Sequence, residues 1–380
     1  MKKFYFKNII TLLVSLCICF FVCESLLRTI PIPGIEMRPV IDFDSDILLY
    51  RYTPHSKILR WNRSNVLIER KVNSEGYLDS EHSVEKPDSV YRIGFFGDSY
   101  VEAIQVSIEN TFFKIIENKL KNYNVETLAF GTSGHGTIHS YLKSKKYAPY
   151  FNLDLVVYVF CENDLGDQIK EIKQVDFLPY IRIVNDQLVI DNESVIKSQY
   201  KYRWGKLKRF FYANSILFQN IARRLSLIIK YGIKLSPTKQ ELQMANYRTQ
   251  SSVPNQNDLP STWPQSFKLQ AIKQCEKVIA QWFKDLKDQN RKFVILYIPR
   301  ETEWKKALPN QDSWKSWLKH YCEQLKIDFI DPTESFMAKS YEGKKIFDGH
   351  FSVYGHEAFA EAFVTWFIRN KTQNNLTVHY

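Results

Sequence analysis

The stretch Arg92-Ile-Gly-Phe-Phe-Gly-Asp-Ser-Tyr100 decides the fold, because an apolar run stops abruptly at Gly97-Asp98-Ser99. Residues 93–96 have the β-branched and aromatic character of a buried strand, and the glycine and aspartate that follow are turn residues. Open α/β sheets place their ligand crevice at the carboxyl ends of the strands. Ser99 is therefore a candidate nucleophile if a base and oxyanion donors stand at other strand ends.

A candidate base for this serine lies far along the chain, in Phe347-Asp-Gly-His-Phe-Ser-Val-Tyr-Gly-His356. A nucleophilic serine needs a base to accept its proton, and the base needs an acceptor on its other ring nitrogen. His350 and Asp348 stand two positions apart on one predicted loop, so His350 can face Ser99 while Asp348 orients the imidazole. The alternative interpretation of this pair is a polar loop that opens the following helix.

Two further turns offer candidate donors for an oxyanion. The segment Glu126-Thr-Leu-Ala-Phe-Gly-Thr-Ser-Gly-His-Gly-Thr137 ends a predicted strand with closely spaced glycines, which let backbone N–H groups approach a ligand. The apolar strand 153–161 is followed by Glu162-Asn163-Asp164, in which Asn163 supplies a side-chain amide. Each turn also has a structural interpretation, an ordinary strand-to-helix turn for the glycines and a turn or cap residue for Asn163.

In this order and at strand ends, four segments resemble the SGNH (GDSL-type) hydrolase superfamily. They are Gly97-Asp98-Ser99, the turn with Gly131, Gly134 and Gly136, Asn163-Asp164, and Asp348-Gly-His350. Upstream, Val72-Asn-Ser-Glu-Gly-Tyr77 resembles the segment that precedes the serine block in membrane-anchored members. The resemblance spans residues 40 to 370, with its specificity concentrated in the four blocks.

The resemblance implies a role for each of these residues. Ser99 would be the nucleophile, with its own N–H as one oxyanion donor, and Asp348 and His350 would complete the triad. The Gly134 N–H and the Asn163 amide would be the other oxyanion donors. No cofactor and no metal are predicted, because no metal-ligand spacing is present.

Two positions depart from the pattern of the superfamily. Ala129 stands where many members have an asparagine ahead of the glycine turn, so one supporting hydrogen bond is missing. Glu162 stands where a glycine usually precedes the Asn-Asp pair, and a side chain there would narrow the site or change the turn. Neither departure removes a catalytic group.

The amino-terminal segment predicts where this chemistry takes place. Lys2, Lys3 and Lys7 precede the uncharged apolar run Ile9 to Cys23, and a further four residues add only Glu24 as a charge. This length spans a bilayer. A signal peptide has a similar layout, but no small-x-small cleavage site follows, so an uncleaved anchor with a cytoplasmic amino terminus is expected.

Charge and composition narrow the choice of partners. The 380 residues carry 52 Lys+Arg against 41 Asp+Glu, a formal net charge of +11, and much of the excess lies between Lys197 and Lys239 among aromatic and aliphatic residues. Nucleic acid is not an expected partner, because no recognition motif accompanies this stretch. Anionic lipid headgroups or an acidic polysaccharide suit it better, and a solvated amphipathic helix is the plainer alternative.

The alternation of strands and helices predicts an α/β fold, a three-layer α/β/α arrangement around a central parallel sheet of the SGNH or flavodoxin-like type. Residues 1–28 are predicted as a cytoplasmic stub and transmembrane anchor, and 29–90 as a stalk with short strands. Residues 91–370 form the predicted catalytic domain, interrupted by an insertion at about 170–262, and 371–380 form a tail. The insertion is predicted to contain a hairpin with a two-residue turn, a basic helical stretch and a loop at 235–262.

The sequence therefore predicts a serine esterase or acyltransferase that acts on an O-acyl ester, foremost O-acetyl, of a cell-surface carbohydrate. The triad chemistry leaves hydrolysis and transfer open, and the resemblance leaves room for a membrane-bound partner that donates the acyl group. The expected location is a bacterial inner membrane, with the catalytic domain on the periplasmic or extracellular side. The alternative function is a catalytically silent, membrane-anchored glycan-binding or assembly factor.

Overall fold

The computed structural model of the chain describes residues 2–173, 175, 177–197, 205–231, 265–305 and 314–376. The strands are β1 Ile41–Asp44, β2 Leu49–Tyr52, β3 Lys57–Trp61, β4 Leu67–Lys71, β5 Tyr91–Gly97, β6 Val125–Gly131, β7 Leu155–Phe160, β8 Tyr180–Val184, β9 Gln187–Asp191, β10 Lys292–Tyr297 and β11 Asp328–Ile330. The helices are α1 Lys2–Thr29, α2 Ser99–Glu102, α3 Phe112–Lys119, α4 Thr137–Tyr150, α5 Asp164–Asp167, α6 Lys170–Lys173, α7 Lys206–Asn214, α8 Ile216–Tyr231, α9 Gln265–Asp288, α10 Glu301–Trp304, α11 Trp314–Leu325, α12 Thr333–Tyr341 and α13 Val353–Leu376.

Five parallel strands form the central sheet in the order β11-β10-β7-β5-β6. When these five strands are numbered along the chain, the order is 2-1-3-4-5, which is the flavodoxin-like doubly wound arrangement. Helices α4, α9 and α11 pack on one face, and α3, α12 and α13 pack on the other. The predicted three-layer α/β/α fold is confirmed.

The central strand β7 explains why its sequence is apolar throughout. All six of its residues are buried. Val156, Tyr158 and Phe160 pack into the hydrophobic cluster on one face of the sheet, and the alternate residues pack into the cluster on the other. A parallel strand covered by helices on both sides has no solvent face, so it lacks the polar alternation of a half-exposed strand.

The predicted hairpin in the insertion is also confirmed. Strands β8 and β9 pair antiparallel, and Asn185 and Asp186 connect them with φ angles of 49° and 62°. Two successive positive φ values define the turn type that matches the twist of a two-residue hairpin, and Asn and Asp tolerate them better than most residues. The loop predicted at 235–262 lies outside the described residues.

Residues 29–90 pack directly on the α/β domain. Tyr52, Ile58, Val72 and Leu78 form a buried cluster with Ile104, which follows the helix that begins at the candidate nucleophile. The guanidinium of Arg70 is also buried there, and it donates hydrogen bonds to the carbonyls of Ala103 and Val106 at 2.8 and 3.1 Å and to that of Leu78. The two hairpins of this segment, β1–β2 and β3–β4, are therefore fixed against the serine loop.

Helix α1 is long and apolar enough to cross a membrane, a property that signal sequences share. The segment Asn8–Thr29 has a mean hydropathy of 2.5. Only 6% of the residues in its apolar stretch are buried against the rest of the protein. The helix is therefore not a core helix of the α/β domain.

A buried ionic network joins residues 79–82 to the central sheet. The ring nitrogens of His82 lie 2.7 Å from a carboxylate oxygen of Glu126 and 3.1 Å from one of Asp79, and Arg92 donates to Glu126 at 2.6 Å. Burial alone lowers the pKa of His82, but its hydrogen bonds to the two carboxylates outweigh this and raise it to about 9. His82 is therefore charged in the folded protein at neutral pH.

We predict that His82→Gln removes a pH-dependent part of the stability. Because the pKa of His82 is raised on folding from 6.5 to about 9, its contribution is complete below pH 6.5 and is lost as the pH rises through 9. At about 1.4 kcal/mol per pKa unit, this rise corresponds to a contribution of about 3 to 4 kcal/mol. Urea unfolding at pH 6 and pH 10 should show a larger fall in the free energy of unfolding for the parent than for His82→Gln. The exposed His55→Gln serves as the control, and equal falls in the parent and in His82→Gln would contradict the prediction.

Candidate active site

Ser99 and His350, far apart in the sequence, are hydrogen-bonded to each other. Ser99 opens α2 directly after β5, and the carboxylate of Asp98 accepts the Tyr100 N–H at 2.9 Å to cap this turn. His350 lies on the loop between α12 and α13, with Nε2 2.8 Å from Ser99 Oγ. This distance is that of a nucleophile and its general base.

The surroundings of His350 keep its imidazole neutral. Burial is the largest cause, and the positive charges of Arg60 and Arg63 add to it, so the pKa of His350 is lowered to about 4. The ring of Tyr100 also packs beside the imidazole, with ring centroids 5.0 Å apart. At neutral pH the imidazole is therefore free of its second proton and can accept one from Ser99.

The carboxylate of Asp348 binds a different partner from the one predicted. It accepts a hydrogen bond from Lys345 Nζ at 2.6 Å, while the Asp348 N–H donates to the His350 carbonyl at 2.7 Å. Within the described ranges, no hydrogen bond joins this carboxylate to the imidazole. The structure thus brings Ser99 and His350 together and places Asp348 on the same loop, and the orienting role of Asp348 stays a prediction.

Asn163 follows β7 and lies beside the serine turn, as its predicted role requires. Its amide nitrogen donates to Asp98 Oδ2 at 2.9 Å and to Asp167 Oδ2 at 3.1 Å. An amide has two hydrogens, so both are engaged with carboxylates. To stabilise an oxyanion, Asn163 would have to release one of them.

Glycine is required for different reasons at the last residue of β6, Gly131, and in the turn that follows it, at Gly134. Gly134 has a φ of +75°, which favours glycine, and a Cβ added there would lie 2.8 Å from the ammonium of Lys173. That ammonium is paired with Asp167 at 2.6 Å. At Gly131 an added Cβ would lie 2.0 Å from the backbone nitrogen of Glu102, so only glycine lets α2 approach the end of β6.

Glu102 is a supporting residue that the sequence did not reveal. Its buried carboxylate accepts the Tyr52 hydroxyl at 2.5 Å and the Ser133 N–H at 2.9 Å, and it also accepts the Ser133 hydroxyl. Burial raises its pKa. Glu102 thereby joins the serine helix α2, the glycine turn and the amino-terminal hairpin β1–β2. In the sequence it is an acid in the first turn of a helix, which is a common and uninformative feature.

Lys143 is the second such residue. Although its side chain is fully buried on α4, its ammonium donates to the carbonyls of Gly97 at 2.9 Å and Phe130 at 2.6 Å. Burial lowers its pKa to about 7, although the nearby Asp98, Asp164 and Glu102 act in the opposite direction. The sequence gives no signal for it, because two more lysines follow within three residues.

The two residues that depart from the superfamily pattern, Glu162 and Ala129, each have a structural contact. Glu162 forms a two-point ion pair with Arg300, which follows β10, so it connects the ends of two neighbouring strands. Ala129 is buried within β6, and its N–H donates to Asp79 at 2.8 Å. Neither residue lines the cleft at Ser99.

An open cleft of about 770 Å³ contains Ser99 and His350. One wall is the tip of the β3–β4 hairpin from Arg60 to Ser64, and another is the loop from Asp348 to Tyr354. Arg63 packs so closely on the loop that a Cβ added at Gly349 would lie 2.7 Å from its guanidinium carbon. In the part of the chain that the structure describes, no group of three His, Cys, Asp or Glu side chains could hold a metal ion.

We predict that the pKa of His350 is about 4 in the parent protein and rises in Arg63→Ala. Removing a nearby positive charge makes protonation of the imidazole less costly, whereas Lys57→Ala removes an equal charge from the same hairpin without changing the cleft lining. The pH dependence of the imidazole ¹⁵N chemical shifts measures both effects. A midpoint near the ordinary 6.5 in the parent would contradict this account of the site.

No protein-family model and no curated protein matches this chain. Among solved structures, the acetyl xylan esterase AlAXEase is 14% identical with a TM-score of 0.38, over 72% of this chain and 98% of that one. A mutant of Axe2, an acetylxylan esterase from Geobacillus stearothermophilus, is 12% identical with a TM-score of 0.39, over 74% and 95% of the two chains. A member of the lipolytic G-D-S-L family from Veillonella parvula is 13% identical with a TM-score of 0.37, over 74% and 99%. With TM-scores this low, the assignment of the fold rests on the strand order and helix layers of this chain itself.

Proposed function

We propose that this chain is a serine esterase or O-acyltransferase of the SGNH type, acting on an O-acyl ester, foremost O-acetyl, of a cell-surface carbohydrate. The single observation that carries the proposal is the 2.8 Å hydrogen bond between Ser99 Oγ and His350 Nε2 inside an open cleft. The order of the four sequence blocks and the names of the structural neighbours, acetylxylan esterases among them, agree with it.

The proposed reaction has two halves. Ser99 Oγ attacks the ester carbonyl while His350 accepts its proton, and the proton then passes to the departing sugar oxygen. The Ser99 and Gly134 N–H groups and the Asn163 amide stabilise the oxyanion, after Asn163 releases Asp167. In the second half, water or a sugar hydroxyl attacks the acyl-enzyme through the same base, and the products are a free acid or a new ester respectively.

The charge of the cleft favours an acidic carbohydrate. Among the residues that the structure describes, its lining includes Arg60, Arg63 and Lys345, with Asp348 as the only carboxylate. Lys345 and Asp348 neutralise each other at 2.6 Å, whereas the positive charges of Arg60 and Arg63 both act on His350 and lower its pKa. A polymer with uronate or other anionic groups would be attracted to this wall.

The proposed location follows from α1. As an uncleaved anchor with its lysines on the cytoplasmic side, it would hold the catalytic domain on the periplasmic or extracellular face of the membrane. Glu24, inside the apolar segment, accepts hydrogen bonds from the residues that begin α8. This contact favours retention of α1, because a cleaved leader would have no built-in partner in the folded protein. A membrane-bound donor of acyl groups is a partner that such a transferase would require.

Two observations favour the second candidate, a catalytically silent glycan-binding or assembly factor. Asp348 is paired with Lys345, and both hydrogens of the Asn163 amide are engaged. A site fixed in this arrangement would bind a carbohydrate without reacting with it. The two candidates differ in whether Ser99 is activated.

The first experiment is fluorophosphonate labelling of the full chain in detergent, since the probe reacts only with an activated serine. We predict labelling of the parent and of Ser107→Ala, a serine outside the cleft, and its loss in Ser99→Ala and His350→Ala.

On acetylated oligosaccharides, acetate release by Ser99→Ala should fall by about 10⁶-fold. Uronate-bearing substrates should be preferred over neutral ones, and acetate transfer to an added oligosaccharide would identify a transferase. A folded parent that neither labels nor releases acetate would leave the glycan-binding candidate.

The role of Asp348 has its own test. If Asp348 turns from Lys345 to His350 in the reacting complex, Asp348→Asn lowers kcat by about 10⁴-fold with little change in KM. Lys345→Met frees the same carboxylate and should therefore keep or raise kcat. Steady-state kinetics on an acetyl ester measures both variants. An Asp348→Asn variant with the kcat of the parent would show that Asp348 does not orient the base.

A further inference from the structure

The carboxyl end of α1 is joined to the helices α7 and α8. Glu24 is 8% exposed, and its carboxylate accepts the Ser215 hydroxyl at 2.9 Å and the N–H groups of Ile216 and Leu217 at 3.2 and 3.0 Å. It therefore caps the amino terminus of the 16-residue helix α8. Arg28, one turn later, donates to the Asn214 carbonyl, the last residue of α7. Thus α7 and α8 lie where α1 reaches the α/β domain.

One face of this helix pair exposes large apolar side chains. In α8, Ile221, Leu225, Ile228 and Ile229 recur at helical spacing on a single face, and Ile229 is 84% exposed. In α7, Leu207 and Phe210 are 72% and 60% exposed, and Phe211 is exposed as well. The rings of Phe211 and Phe218 connect the two helices, with centroids 5.4 Å apart. A group of exposed apolar side chains of this size is unusual on a soluble surface and marks a contact with a partner or a membrane.

The opposite face of α8 is polar and already occupied. The Gln219 side chain bonds both the N–H and the carbonyl of Arg38, at 2.6 and 3.0 Å, and Asn220 donates to the Glu36 carbonyl at 2.8 Å. Gln219 and Asn220 are buried. The helix is therefore held with its apolar face turned away from the protein.

All the charged residues of α7 and α8 are basic. Between residues 206 and 231 the sequence has no Asp or Glu, and it has six basic residues, Lys206, Lys208, Arg209, Arg223, Arg224 and Lys230. Of these, Arg223 lies 3.7 Å from Glu36 on the docked side. A helix with an apolar face, basic flanks and no acidic residue is typical of segments that lie in the interface of an anionic bilayer.

We propose that α7 and α8 form a second membrane contact, lying flat on the bilayer surface beside the point where α1 leaves it. Their apolar face enters the boundary between headgroups and acyl chains, and basic residues on their exposed sides, such as Lys208 and Arg224, lie at the anionic headgroups. The inference rests on the proposed anchorage by α1, to which this helix pair is attached through the hydrogen bonds of Glu24. Two contacts restrict rotation of the domain about α1, which a single flexible anchor would permit.

The test uses the full chain reconstituted in vesicles of phosphatidylcholine and phosphatidylglycerol. In a background with Cys17, Cys19 and Cys23 replaced by Ser, an environment-sensitive fluorophore is attached at Ile229→Cys. Val14→Cys in α1 reports insertion of the anchor. Val66→Cys, 52% exposed at the tip of the β3–β4 hairpin, is the matched control outside the proposed contact. Nitroxide groups carried on the lipid acyl chains quench fluorophores that enter the bilayer.

We expect quenching at positions 14 and 229 and none at 66, with weaker quenching at 229 when phosphatidylglycerol is omitted. Quenching at 14 but not at 229 would overturn the second contact while leaving the anchorage intact. Quenching at neither position would overturn both. The fluorophore at position 229 could also become shielded from water without lipid, to an extent that increases with protein concentration. That result would assign the apolar face to a second copy of the chain and overturn the membrane contact.

Discussion

The buried ammonium of Lys143 holds together the two strand ends on which the site is built. It donates to the carbonyls of Gly97 and Phe130, at the carboxyl ends of β5 and β6. Burying a charge is costly unless it is well paired, and burial lowers the pKa of this lysine to about 7. Three nearby carboxyl groups, those of Asp98, Asp164 and Glu102, offset part of this cost. The turn that carries Ser99 is therefore held by a network of charged groups that is buried in the α/β core.

The same network holds the neighbouring turns in position. Burial raises the pKa of Asp98 to about 6 and also raises the pKa of Glu102, yet each carboxyl group has defined hydrogen-bond donors. Asp98 binds the Tyr100 N–H and the Asn163 amide, and Glu102 binds Tyr52 and Ser133. Moving any one turn would leave a buried polar group without its partner, which costs more than an ordinary hydrogen bond contributes.

The sequence predicted what depends on local pattern and missed what depends on contacts between distant residues. The apolar run of β7 and the Asn185-Asp186 turn were readable because burial on both faces and positive φ each require particular residues. The pairing of Ser99 with His350 was predictable because a nucleophilic serine needs a base, and because the four blocks occur in the order of the superfamily that they resemble. Glu102 and Lys143 could not be recognised, because an acid or a lysine on a helix is ordinarily exposed. Arg60 and Arg63 gave no signal either, since nothing local shows that their hairpin packs beside the loop that carries His350.

In the proposed reaction, the ion pair between Lys345 and Asp348 is a weak obstacle. The Lys345 side chain is 71% exposed, and an exposed pair of this kind contributes about 0–1 kcal/mol because solvent screens it. When His350 accepts the proton of Ser99, the imidazole becomes positive, and a carboxylate hydrogen-bonded to a cation gains about twice the energy of a neutral hydrogen bond. The positive charges of Arg60 and Arg63 destabilise the imidazolium. A hydrogen bond to the Asp348 carboxylate therefore stabilises the imidazolium more than it stabilises the neutral imidazole. The physical balance therefore favours transfer of Asp348 from Lys345 to His350 as the reaction proceeds, with an acidic substrate on the arginine wall acting in the same direction.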